Sequence, residues 1–99
     1  MKTAFIVLKS PQEQDPARAI EALAEKDDAS AILLEDGVLQ ALSRASADRL
    51  ARVCSEVLVS REDVEAKGFS ESELAIGKLI GYPEIVECIM ERTERTITV

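Results

Sequence analysis

The sequence predicts an α/β domain, with a mostly parallel sheet of four to five strands sandwiched between helical layers. Three observations carry this. Short apolar runs of strand length recur along the 99 residues. Amphipathic helical segments separate them at 20–30-residue spacing, the rhythm of βαβ units. The clearest runs are continuously apolar rather than alternating, as in strands covered on both faces. The length corresponds to one domain, residues 1–99.

The first run is Thr3–Leu8. A lysine precedes it, as in a signal peptide, but it stops at Lys9-Ser10-Pro11, short of an h-region and without a small-residue cleavage site. Residue 1 is therefore expected to begin the mature, cytoplasmic protein. A loop is predicted over 10–14. A helix then starts at Asp15-Pro16, an N-cap followed by proline at the first helical position, with Ile20, Leu23 and Ala24 on one face. The second run is Ser30–Leu34. The next helical stretch spans Gly37 to about Cys54, with Val38, Leu42, Leu50 and Val53 inward, and the polar Ser43–Asp48 segment is expected to split it in two.

Val57-Leu58-Val59 is the third run. Ser60 caps a helix with Asp63 three residues on, and Gly68 ends it. A fourth strand is expected over Leu74–Ile80, weakened by Gly77 and Lys78. The last helix starts at Pro83 with Ile85, Val86, Ile89 and Met90 as its apolar stripe. Thr96–Val99 alternates and reads as a terminal edge strand.

Composition excludes several chemistries. With no histidine, the chain has no Ser-His-Asp triad, no Cys-His pair and no His-ligated metal. Two cysteines cannot build a four-thiolate site, and no metal or cofactor is expected. Nineteen acidic against twelve basic residues give a net charge of −7, which argues against direct contact with a phosphate backbone. No apolar run approaches the ~20 residues of a membrane span.

Ligands of open α/β sheets bind beyond the carboxyl ends of the strands. Those ends put Ser10, Glu35, Asp36, Arg61 and Tyr82 in a candidate crevice. Glu35-Asp36 could serve as an acid/base pair or hold Mg²⁺. The plainer reading is that Asp36 caps the following helix and Gly37 allows a tight turn. Cys54 and Cys88 are the only soft nucleophiles. A thiol at a helix C-terminus is a weak nucleophile, and Cys54 is expected to be inert core. Cys88 lies off the predicted stripe, where partial exposure is expected, among Glu84, Glu87 and Glu91, which would raise its pKa.

Four segments carry a family likeness: Lys9-Ser10-Pro11 closing the first strand, Ala31-Ile32-Leu33-Leu34-Glu35-Asp36-Gly37-Val38, Glu62-Asp63-Val64-Glu65-Ala66-Lys67-Gly68-Phe69, and Gly81-Tyr82 before the last helix. In order and spacing they resemble the DsrH/TusB family of sulfur-relay proteins. The resemblance implies a DsrE/F/H-like α/β/α fold. It also implies assembly with DsrE/TusD-like and DsrF/TusC-like subunits, in complexes that serve 2-thiolation of wobble uridine in tRNA or dissimilatory sulfur metabolism. The sulfur-carrying cysteine of such complexes belongs to the DsrE/TusD-type subunit. Some DsrH proteins carry another in the first helix, whereas here no cysteine stands between Pro11 and Val53. That argues against autonomous sulfurtransferase activity. A non-catalytic relay subunit is the expectation. Its rivals are a small persulfide sulfurtransferase using Cys88 or Cys54, and a self-associating ligand-binding or regulatory module.

Overall fold

A computed structural model describes all 99 residues. Five strands, β1 (Thr3–Val7), β2 (Ala29–Leu33), β3 (Glu56–Ser60), β4 (Lys78–Ile80) and β5 (Arg95–Thr98), lie in the order β4-β3-β2-β1-β5, and every pair is parallel. The helices are α1 (Pro16–Leu23), α2 (Arg44–Val53), α3 (Arg61–Ala66) and α4 (Tyr82–Glu87), the last running into a π-turn at Cys88–Arg92.

The layering follows from handedness. A parallel crossover has one preferred hand, so three successive steps from β1 to β4 put α1, α2 and α3 on the same face. The return across the whole sheet to β5 puts α4 on the other. Side chains alternate accordingly. Phe5, Val7, Ala31, Leu33, Val57 and Val59 meet Ile20 of α1, Leu50 of α2 and Val64 of α3 in the larger core. Ala4, Ile6, Ile32, Leu58 and Ile80 meet Ile85 and Cys88 in the smaller one. Because both faces are covered, β1 to β3 read as continuous apolar runs. Each fully buried Val, Leu, Ile or Phe contributes about 1.5–3 kcal/mol. No helix is long and apolar enough to cross a membrane.

Local signals act where the sequence places them. Asp15 accepts a hydrogen bond from the Ala17 N–H at the head of α1, and Ser60 accepts from the Asp63 N–H at the head of α3. Gly68, at φ +84°, follows the end of α3. The predicted 37–54 helix is divided, but at Leu42–Ser43 rather than across Ser43–Asp48, since Arg44–Asp48 form the first half of α2. A 3-10 turn at Glu35–Ala41 precedes α2, which Ser43 caps.

Four expectations are corrected. The fourth strand is only Lys78–Ile80, because Ser70 and Glu73 cap each other around a 3-10 turn at Glu71–Glu73 and the Ala75 N–H bonds the Ala41 carbonyl, away from β3. Asp36 caps nothing: Leu34 holds the cap position, and the Asp36 carboxylate pairs with Lys67. Cys88 is buried rather than partly exposed. Val86 and Met90, expected inward, are exposed. The inward line of the last helix is Ile85, Cys88 and Ile89, an i, i+3, i+4 set that leaves Val86 and Met90 on its flank.

Candidate functional site

The carboxyl ends of β2, β3 and β4 are tied together by one carboxylate. Asp63, in the first turn of α3, accepts the Glu35 N–H at 2.8 Å through Oδ2 and the Tyr82 hydroxyl at 2.6 Å through Oδ1. Glu35 follows β2 and adopts φ +53°, a left-handed conformation uncommon for a residue with a side chain. The short bond from its N–H to a charged acceptor offsets that strain. The neighbouring Glu62 carboxylate accepts the Tyr82 N–H through both oxygens, at 3.2 and 3.3 Å, and so caps α4 from another helix. Arg61 donates to the Leu79 carbonyl at 3.4 Å.

Burial alone would push the Asp63 carboxyl up. The hydrogen bonds from Glu35, Tyr82 and Ser60, with the Lys67 charge, outweigh it and hold the group below the usual aspartate value. The bond to Asp63 chiefly raises the Tyr82 phenol. Both Asp63 oxygens are engaged and the group is a weaker base than a free aspartate, so the arrangement is a clasp rather than an acid/base pair. No three acidic or thiol side chains converge on one point.

Glu35 and Tyr82 are thus joined at one end of the sheet by Asp63, with Glu62 on Tyr82, while Asp36 pairs with Lys67 and Arg61 bonds the Leu79 carbonyl. Ser10 does not join them. Its N–H and hydroxyl both bond Glu13 within its own turn, at 3.3 and 3.1 Å. The loop after β1 is instead held by the fully buried Gln40, whose Nε2 donates to the Lys9 and Gln14 carbonyls, each at 3.1 Å. The close approach of this layer leaves no room at Gly37, where a Cβ would lie 1.9 Å from the Val7 carbonyl oxygen. Asp63, Glu62 and Gln40 escape a reading of local spacing. Ser60-x-x-Asp63 correctly signals a cap through the Asp63 N–H, but not that the Asp63 carboxylate goes on to bridge Glu35 and Tyr82.

The cysteines lie elsewhere. Cys54 caps the end of α2 and is buried. Burial, barely countered by Lys26, pushes its thiol up to about 12. Cys88 sits beneath α4, at the edge of a surface hollow of about 450 Å³ shared with Lys2, Ser30, Ser55, Glu56, Arg92 and Thr93. It is nonetheless only 2% exposed. Burial raises this thiol; Arg92 pulls it down and Glu56 pushes it back up, for a net rise. Arg92 cannot activate it strongly, because Glu56 binds the guanidinium at 3.1 and 3.2 Å.

Comparison with known proteins agrees with this architecture. The ychN protein from E. coli has a similar structure, with a TM-score of 0.76, 19% identity and complete coverage of both chains. The solution structure of protein Tm0979 from Thermotoga maritima matches with a TM-score of 0.63 and 22% identity, over 87% of this chain and 90% of that one. No curated protein matches significantly. The sequence profile of the family described as "DsrH like protein" matches residues 9–95, nearly the whole chain, and the chain therefore belongs to the DsrH family.

Proposed function

We propose that this chain is a non-catalytic subunit of a sulfur-relay complex. It would support persulfide transfer on partner subunits of DsrE/TusD and DsrF/TusC type, in tRNA wobble-uridine thiolation or dissimilatory sulfur metabolism. One observation carries the reading within a DsrH-family chain: both thiols are buried and raised in pKa. The thiolate is the species that accepts and passes sulfur, and carrier cysteines sit exposed in electropositive surroundings. Neither cysteine fits that description, so the reactive sulfur belongs on a partner. The net charge of −7 supports contact with proteins and leaves any tRNA to other chains.

The test is co-expression with DsrE- and DsrF-like proteins, followed by a persulfide-transfer assay. The expected result is a stable complex whose transfer rate is unchanged by Cys54→Ser and Cys88→Ser, assayed on folded variants. A chain that purifies alone in the presence of both partners defeats the proposal. So does a persulfide adduct of +32 Da on Cys54 or Cys88 that is required for transfer.

A further inference from the structure

The two faces of the sheet are covered unequally, by three helices on one side and one on the other. That single helix carries more apolar surface than the sheet takes up. Of five large exposed hydrophobic side chains in the protein, Tyr82, Val86 and Met90 lie on α4 and its π-turn. They are four residues apart and form one line. Val86 is 53% and Met90 77% exposed. At about 100° per residue this line adjoins the buried Ile85, so the apolar arc continues past the edge of the core. An exposed apolar strip with a polar border marks a protein contact.

The border is acidic. Glu84, Glu87 and Glu91 are all exposed. Arg92, the only cation between residues 82 and 92, is occupied by Glu56. A second copy meeting this ridge across a two-fold axis would set these glutamates against their own equivalents, in a chain already at −7. Like-charge juxtaposition suppresses such pairing. The foot of the ridge is rigid, since Tyr82 is held by Glu62 and Asp63, which limits the ordering cost of docking.

We infer that the outer flank of α4 docks a different chain, one presenting an apolar groove bordered by lysine or arginine. This rests on the relay-subunit reading above, which identifies that chain as a DsrE-like or DsrF-like subunit. The ridge belongs to the fold by its inner side and to the assembly by its outer side.

The experiment uses the full chain co-expressed with those two subunits, followed by light scattering and titration of purified components. Wild type should form the hetero-complex. Val86→Asp and Met90→Asp should each weaken it roughly tenfold or more. Glu87→Lys and Glu91→Lys should weaken it more at low salt than at high salt. Leu23→Asp, an exposed change on α1, should leave affinity unaltered. Leu23 and Val86 are half-buried, so thermal unfolding of each isolated variant is measured alongside and affinities are compared at a temperature where all are folded, which separates docking from folding. A complex that survives both aspartate variants overturns the ridge alone. A wild-type homodimer dispersed by Val86→Asp overturns the choice of a different chain. Wild type that binds neither subunit overturns the relay-subunit reading, and the assigned partner with it.

Discussion

Replacing Gly37 by alanine tests how the layer beyond β2 is seated. The added Cβ would sit 1.9 Å from the Val7 carbonyl oxygen and 2.6 Å from its carbon, where ordinary contact begins near 3.4 Å. Both obstacles are backbone atoms of a central strand and cannot rotate away. The Glu35–Ala41 turn must retreat by about 1.5 Å, the difference between 3.4 and 1.9 Å. That displacement strains the Leu34 N–H to Val7 carbonyl bond, now 3.0 Å, and both bonds of buried Gln40. Forced overpacking costs about 1–3 kcal/mol, and a disrupted buried amide adds about 1–3 kcal/mol. A loss of about 3–5 kcal/mol is expected, a large share of the roughly 5–15 kcal/mol of a domain this size. Gly68→Ala is the comparator. Its φ is +84° but nothing lies within 4 Å of a new Cβ. Its cost is conformational alone, about 1 kcal/mol. Urea unfolding followed by circular dichroism measures both, with the m-value checking that two-state behaviour survives. A Gly37→Ala protein within about 1 kcal/mol of wild type, or one more stable than Gly68→Ala, refutes the steric argument.

Asp63→Ala releases the Glu35 N–H and the Tyr82 hydroxyl to water and should cost about 0.5–1.5 kcal/mol at neutral pH; Tyr82→Phe should cost less. The folded pKa of Asp63 lies below its unfolded value, so its contribution is present above the unfolded value and lost as pH falls through the folded one. The gap between wild type and Asp63→Ala in denaturant titrations should therefore narrow below about pH 4; a gap constant down to pH 2 removes the charge from the account. Both cysteines should react with a thiol reagent at pH 7 far more slowly in the native protein than in denaturant. Equal rates in the two states would show that Cys54 and Cys88 are accessible. Gln40→Ala should destabilise by about 1–3 kcal/mol in the same urea assay, through the freed Lys9 and Gln14 carbonyls; a neutral outcome would mean that water replaces the amide.

Legibility in the sequence tracks how local the determining force is. β1, β2 and β3 are readable because burial on both faces writes itself as an unbroken apolar run. α1 and α3 are readable because Asp15-Pro16 and Ser60 act on amides two or three residues away. The clasp is not readable. Asp63 reaches Glu35 across 28 residues and Tyr82 across 19, and a bond between separate strand ends leaves no periodicity. Strand-end topology therefore names Glu35 and Tyr82 but not the Asp63 that joins them. Ser10, grouped with them by topology alone, turns inward to Glu13. The last helix shows the complementary difficulty. Its apolar pattern is genuine, but hydrophobicity records that a side chain avoids water, not which surface covers it. Hydrophobicity alone puts Val86 and Met90 in the core, where the structure has Cys88.

The pairing of β5 with β1 also sets an order of events during synthesis. Thr3, Ala4, Phe5 and Ile6 wait for Arg95, Thr96, Ile97 and Thr98, so nearly the whole chain must be translated before the first strand loses its free edge. Until then an apolar strand stands unpaired on one side, the form most open to association with other nascent chains. Joining residues some 92 positions apart also raises contact order and slows the final step of folding. A chain shortened before Arg95 would keep that edge permanently. Its expected fate is aggregation rather than a slightly smaller domain.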